Sequence, residues 1–196
     1  MNTSKRGLLL IEAFEGFRPD RYLDAVGVPT IGYGTTAADV HPLPAHCTRD
    51  QAERWLADNV ARKYEPAVRA LNVPLNQNQF DALVSLAYNL GPGVFQWDIG
   101  THLRARDYRA ASADFMHYVH AGGRVLQGLV NRRAAERRLF DTPAEAVAPS
   151  PKPQPPVAVV AFDGDVFAEQ RDGSVWHRHF DQGRWQPWVS LGTPGR

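Results

Sequence analysis

The stretch TPAEAVAPSPKPQPPV, residues 142–157, constrains the fold more than any other feature, because it carries six prolines and no hydrophobic period. Each proline removes a backbone donor and turns the residue before it away from helix, so the segment reads as an extended, semi-rigid tether. The 196 residues then divide into a main domain over 1–141, a linker over 142–157 and a short C-terminal module over 158–196. Cys47 is the only cysteine, which excludes an intrachain disulfide and a cysteine-rich metal site. Both parts must hold together by packing alone.

The composition is globular, 43% hydrophobic and 22% charged, and a formal net charge of +1 gives no general reason to expect nucleic acid or a membrane surface as partner. Charge is concentrated in GLVNRRAAERRLF, where Arg132, Arg133, Arg137 and Arg138 face only Glu136. The N-terminal run Leu8–Ile11 is broken by Glu12 and Glu15, too soon for a signal core or a membrane span. The expectation is synthesis in the cytoplasm without an export signal and without membrane insertion. A substrate beyond the membrane would then need a separate agent to open the way.

Helical patterns dominate the main domain. Thr48 and Gln51 form a capping box ahead of an apolar stripe of Ala52, Trp55, Leu56, Val60 and Tyr64, which Pro66 ends or kinks. Asn76 and Gln79 repeat the device before Phe80, Leu83, Val84, Ala87 and Tyr88, and Gly91-Pro92 stop that helix, the expected core of the domain. Further helices are expected over about 107–119 and 125–139. A first helix from about Ser4 to Glu15 ends at Gly16, with Pro19 barring continuation. Between 22 and 35, Tyr22, Val26, Val28, Ile31 and Tyr33 separated by Gly27, Gly32 and Gly34 predict a strongly turned β-hairpin. The fold class is therefore α+β: a mainly helical domain with a small N-terminal hairpin subdomain, plus a small all-β module.

Two carboxylates and a hydroxyl, Glu15, Asp24 and Thr30, fall in this helix-to-hairpin unit. Glu15 shares a helix side with Leu8 and Ile11, and partial burial plus the negative helix end disfavour its ionised form, as a general acid requires. Asp24, on an open glycine-rich turn, suits orientation of water, and Thr30 can share that water. Gly32 and Gly34 let a glycan approach the backbone. On spacing alone the plainer reading stays open: Glu15 facing solvent and Asp24 capping a turn.

The segment EGFRPDRYLDAVGVPTIGYGTT resembles the signature of the phage-type lysozymes, the glycoside hydrolase family of phage T4 lysozyme and many endolysins. Its pattern is met by Glu15-Gly16, by Tyr22-Leu23-Asp24 and by Thr30-Ile31-Gly32-Tyr33-Gly34, and PLNQNQFDALVSLAYNLGPGVF and GLVNRRAAERRLF extend the likeness over residues 5–141. The resemblance implies a lysozyme-like domain in which Glu15 is the general acid and Asp24 and Thr30 position the attacking water. The implied substrate is the β-1,4 bond between N-acetylmuramic acid and N-acetylglucosamine in peptidoglycan. Direct displacement inverts the anomeric centre and calls for carboxyl groups about 6.5–9.5 Å apart. It further implies an endolysin released by a separate holin-like, membrane-permeabilising protein and acting in the periplasm or cell wall. A non-catalytic glycan-binding protein on the same scaffold, a lytic transglycosylase acting on the same bond, and a toxin used against competitors are the alternatives.

Around the site, Tyr22 points to the side of Asp24 in an extended strand and either packs beneath it or touches sugar. In the resembled family an arginine of the RR segment reaches the catalytic glutamate, so Arg132 or Arg133 clamps the site or is simply solvated. His41, His46, His102, His117 and His120 form no HExxH or comparable pattern, and no GxGxxG, GxxxxGK[ST] or GxSxG occurs. Neither a metal nor a cofactor is expected.

Beyond the linker, alternation between Asp163-Gly164, Asp172-Gly173 and Gln182-Gly183 predicts three or four short antiparallel strands. The stretch from Asp163 to Gly192 resembles one blade of a carbohydrate-binding β-propeller family, whose blades normally come in series. A module this small seldom folds alone, so self-association through it is one expectation. Trp176, Trp185 and Trp188 either stack on sugar rings or line the inner face of the sheet.

Overall fold

The computed structural model describes residues 1–24, 26–143, 158–162, 165–169, 175–181, 184–185 and 189–192. The chain separates into two compact units, Met1–Ala144 and Glu145–Arg196.

In the first unit, α1 spans Lys5–Glu15. Ser4 caps it, its side chain accepting from the Gly7 N–H, and Gly16 closes it at φ 72°, a conformation glycine adopts without strain. The Ser4 hydroxyl and N–H both donate to the buried Asp81 carboxylate, which ties the start of this helix to the core.

Three strands follow, β1 (Arg18–Leu23), β2 (Pro29–Gly32) and β3 (Thr35–Thr36), as an antiparallel sheet in the order β1-β2-β3 with Tyr22 opposite Thr30. The strand region begins earlier than the expected hairpin and takes in Pro19, which bars helix but not an edge strand. The outer side of β1 is bound through Cys47 N–H to Pro19 O at 2.8 Å and Arg21 N–H to Ala45 O at 2.9 Å.

α2 (Arg49–Asn59) and α4 (Gln77–Leu90) each begin at the expected capping box, on Thr48 and Asn76. Pro66 does not end the helix it follows. A π-helical turn over Val60–Tyr64 leads directly into α3 (Glu65–Arg69), in whose first turn Pro66 sits. The wider turn carries the Glu65 N–H to Val60 O and takes up the place where Pro66 offers no donor.

After Gly91 come a 3₁₀ turn (Pro92–Gln96), α5 (Asp98–Arg104) and α6 (Tyr108–Asp114) with a 3₁₀ extension to His117. A two-stranded hairpin of β4 (His120–Ala121) and β5 (Arg124–Val125) leads to α7 (Gln127–Asp141). α5 and this hairpin were not anticipated, and the helix expected over 107–119 is shorter. The expected core helix is central: Phe80, Leu83, Val84 and Ala87 of α4 are buried, and α4 packs on α1 and α7.

The second unit carries β6 (Ala158–Phe162), β7 (Asp165–Glu169), β8 (Val175–Asp181), β9 (Arg184–Trp185) and β10 (Val189–Gly192). They form one small open sheet in which β6, β7 and β8 run as a meander and both β9 and β10 pair with β8. The three turn dipeptides, Trp188 and linker residues 144–157 lie outside the described residues.

Candidate active site

Glu15 is the last residue of α1, and a cleft of about 300 Å³ opens beside it. Gly34 and Thr36 from the sheet, Asn59, Lys63 and Tyr64 from the α2–π segment, and Tyr88 from α4 line the same cleft. Arg132 of α7 reaches across and sets Nη1 2.7 Å from Glu15 Oε1. This guanidinium is an electrostatic contact that burial and helix-end arguments about Glu15 do not include.

The arginine is fixed in turn from behind. Its Nε donates to Glu136 Oε1 at 3.1 Å and its Nη2 to the Ser85 carbonyl at 3.3 Å, and the Ser85 hydroxyl donates to the same Glu136 oxygen at 2.7 Å. Arg133 points elsewhere: it is fully buried with Nε 2.7 Å from Glu136 Oε2 and makes no contact with Glu15. The two neighbouring arginines share one buried glutamate, and Arg132 is the one that pairs with Glu15. Both are interior, so the basic face expected of this segment is reduced to Arg137 and Arg138.

Asp24 follows β1 and organises the turn. Its Oδ1 accepts from Val26 N–H at 2.9 Å and Val28 N–H at 2.8 Å, while its own N–H donates to Val28 O. The turn-capping reading of Asp24 is therefore part of its geometry. Thr30 is buried on β2, and its hydroxyl donates to Val28 O at 3.0 Å. Asp24 and Thr30 thus converge on the backbone of one residue, Val28, although neither lines the cleft beside Glu15. Tyr22, half-buried opposite Thr30, carries the Arg18 guanidinium 4.4 Å above its ring.

The two glycines separate in role. A Cβ at Gly32 would stand 2.9 Å from the Ala52 Cβ, and φ is +66°, so α2 and the turn itself require glycine here. Gly34, at φ +93°, does line the cleft, and a Cβ there would meet the Tyr88 hydroxyl at 3.3 Å.

Cleft residues that the sequence pattern hid are Asp39, Asn59, Lys63, Tyr64 and Tyr88. Tyr64 and Tyr88 belong to the apolar stripes, yet their rings meet at the cleft wall with centroids 4.9 Å apart and planes tilted by 49°. Burial, with the nearby Glu15 carboxylate also contributing at Tyr88, pushes both phenols up, so both stay neutral. Lys63 sits 2.6 Å from Asp39, whose other oxygen accepts from the Thr36 N–H and hydroxyl. Burial alone would raise the Asp39 carboxyl, but the bonds from Lys63 and Thr36 outweigh it and hold it below the ordinary carboxylate range. No local signal pairs residues so far apart in the chain.

Among the described residues, no group of three or more His, Cys, Asp or Glu converges as a metal would require, and no helix is long and apolar enough to cross a membrane. In the second unit Trp185 is 45% exposed, with the Arg178 guanidinium 4.5 Å over its ring. The Trp176 backbone lies in β8.

A profile of the family described as Phage lysozyme matches residues 12–136. The endolysin of Bacillus phage B103 is 40% identical over 148 residues, 72% of this chain and 55% of that protein. The endolysin of Acyrthosiphon pisum secondary endosymbiont phage 1 is 38% identical over 149 residues, covering 72% of this chain and 99% of that protein. Among solved structures, the muramidase domain of SpmX from Asticaccaulis excentricus superposes with a TM-score of 0.66 at 34% identity, over 72% of this chain and 99% of that one. The matched stretch thus spans little more than half of the Bacillus phage endolysin and nearly all of the other two.

Proposed function

Because the chain belongs to the phage lysozyme family, we propose that it is an endolysin hydrolysing the β-1,4 bond between N-acetylmuramic acid and N-acetylglucosamine in peptidoglycan. The observation that carries this reading is the buried Arg132 guanidinium on Glu15 Oε1 at 2.7 Å, at the edge of an open cleft. With Oε1 held, Oε2 is the oxygen left to carry a proton and give it to the leaving sugar oxygen. Thr30 gives its own hydrogen to Val28 O, so it meets a water as an acceptor, as the Asp24 carboxylate does. Two acceptors fix both hydrogens of that water and leave a lone pair for the anomeric carbon. The water oxygen bonds to that carbon as the glycosidic bond breaks. One water proton passes to Asp24, and the configuration inverts.

The test is digestion of purified peptidoglycan by the full chain, read by mass spectrometry and by NMR of the first-formed sugar. Reducing muramic ends with the α anomer are expected. Anhydro-muramic ends would assign lytic transglycosylation instead, a first-formed β anomer would remove inversion, and no cleavage would leave a glycan-binding scaffold.

The rest of the reading concerns the whole protein. The chain is made in the host cytoplasm, passes the membrane when a separate holin-like protein permeabilises it, and acts on the wall to lyse the host. Residues 1–141 do the chemistry, 142–157 tether, and the 158–196 module holds wall glycan weakly. The blade-like sequence is what supports that last role, the described strands forming a small open sheet that is not propeller-like, with Trp176, Trp185 and Trp188 as its candidate sugar platforms. Pairing of modules between chains would strengthen it by multivalency.

A further inference from the structure

The wall of the cleft carries a polar group that the hydrolytic chemistry does not use. Asn59 lines the cleft at only 4% exposure, and its buried Oδ1 has no hydrogen-bond partner among the described residues. A buried amide oxygen left unpaired costs free energy and calls for a partner. The π-helical turn starts at the next residue, and π turns concentrate at functional sites. The wider turn sets residues four and five apart on one side of the helix, which places Lys63 and Tyr64 beside Asn59, and both line the same cleft. Asp39 anchors Lys63 at 2.6 Å, and Tyr64 is braced against the Tyr88 ring. The wall therefore offers a side-chain amide whose oxygen is unpaired, next to a half-buried aromatic face.

That combination complements a secondary amide bearing a small apolar group: one N–H, one carbonyl and one methyl. We propose that Asn59 is a specificity-determining residue that pairs, amide to amide, with the 2-acetamido group of an N-acetylhexosamine in the cleft, with Tyr64 against the methyl. The assignment rests on the peptidoglycan reading for its substrate. It requires no proton transfer and is separable from the roles of Glu15, Asp24 and Thr30.

The test is calorimetric titration of the full chain with two neutral oligomers, β-1,4-linked N-acetylglucosamine tetramer and β-1,4-linked glucose tetramer. The wild type is expected to prefer the acetylated tetramer. Asn59→Leu is expected to lose about tenfold in affinity for it, the scale of two ordinary neutral hydrogen bonds, with the glucose tetramer unaffected. Its Tm should rise, because the unpaired amide is gone. Asn59→Asp, which keeps the shape and the acceptor but loses the donor, should lose part of that preference, with the glucose tetramer unaffected, and serves if the leucine variant does not fold.

A merely structural asparagine would instead lower Tm and weaken both ligands alike. That result overturns the assignment, as does an unchanged preference in the variants or no preference in the wild type. Cleavage is read separately as reducing ends. A wild type that shows the preference but releases none overturns the hydrolytic reading and leaves Asn59 assigned. A wild type that cleaves, with Asn59→Leu retaining the preference, does the reverse.

Discussion

Arg132 and Arg133 are adjacent, identical in type, and buried on the same glutamate, yet they do different things. Arg132 joins Glu136 to Glu15 behind the cleft, while Arg133 ends on Glu136. Removing one partner from a buried charge group leaves the others uncompensated and costs about 3–5 kcal/mol. Arg132→Ala is therefore expected to lower stability by that amount in urea unfolding and to lower wall cleavage by the protein that remains folded. Arg133→Met should lower stability alike and leave the activity per folded molecule unchanged; equal loss of activity in both would contradict the separation. The sequence identifies the arginine doublet but not its member, because residues three and four before Glu136 both turn toward it on a helix. Asn59 was illegible for a similar reason. Its meaning comes from a missing partner, and an absence of that kind has no sequence signature.

At the level of elements, what was legible was whatever a local side chain dictates. Thr48 and Asn76 cap where their boxes stand, and Gly16 stops α1, since each satisfies or frees a backbone group within three residues. Thr48→Ala and Asn76→Ala should each cost about 1 kcal/mol in thermal unfolding; no change would mean that tertiary packing sets those helix starts. What was illegible depends on tertiary fit. α5 has no side-chain cap at Trp97, and its Gly100 is a packing glycine, where a Cβ would stand 1.8 Å from the Phe95 carbonyl. Gly100→Ala should cost about 3 kcal/mol, the upper range for overpacking. The π turn before Pro66 is likewise a compromise between a missing donor and a helix worth continuing. A proline in sequence signals the break and not its resolution.

At the scale of the molecule, the Asp39–Lys63 pair makes stability depend on pH in a definite direction. The folded-state value of Asp39 lies below that of the unfolded chain. Its contribution is therefore fully present above the ordinary aspartate range and is lost as pH falls through the lower folded value. Asp39→Asn should flatten that part of the acid limb of a stability-versus-pH curve; an unchanged limb would remove the pair as its source. Light scattering on the full chain and on residues 1–144 tests self-association through the C-terminal module: a larger species only for the full chain is expected, and two monomers would contradict it. Proline composition is the sequence mark from which the tether is expected, whereas the assembly state depends on surfaces no single-chain pattern reports. The most direct test of the central claim is release of reducing ends from purified peptidoglycan by Glu15→Gln. The variant should remain folded, with Tm lowered by the loss of the Arg132 pair, and lose at least about a hundredfold in rate, the low end for a general acid. A folded Glu15→Gln protein that cleaves at the wild-type rate would contradict the account.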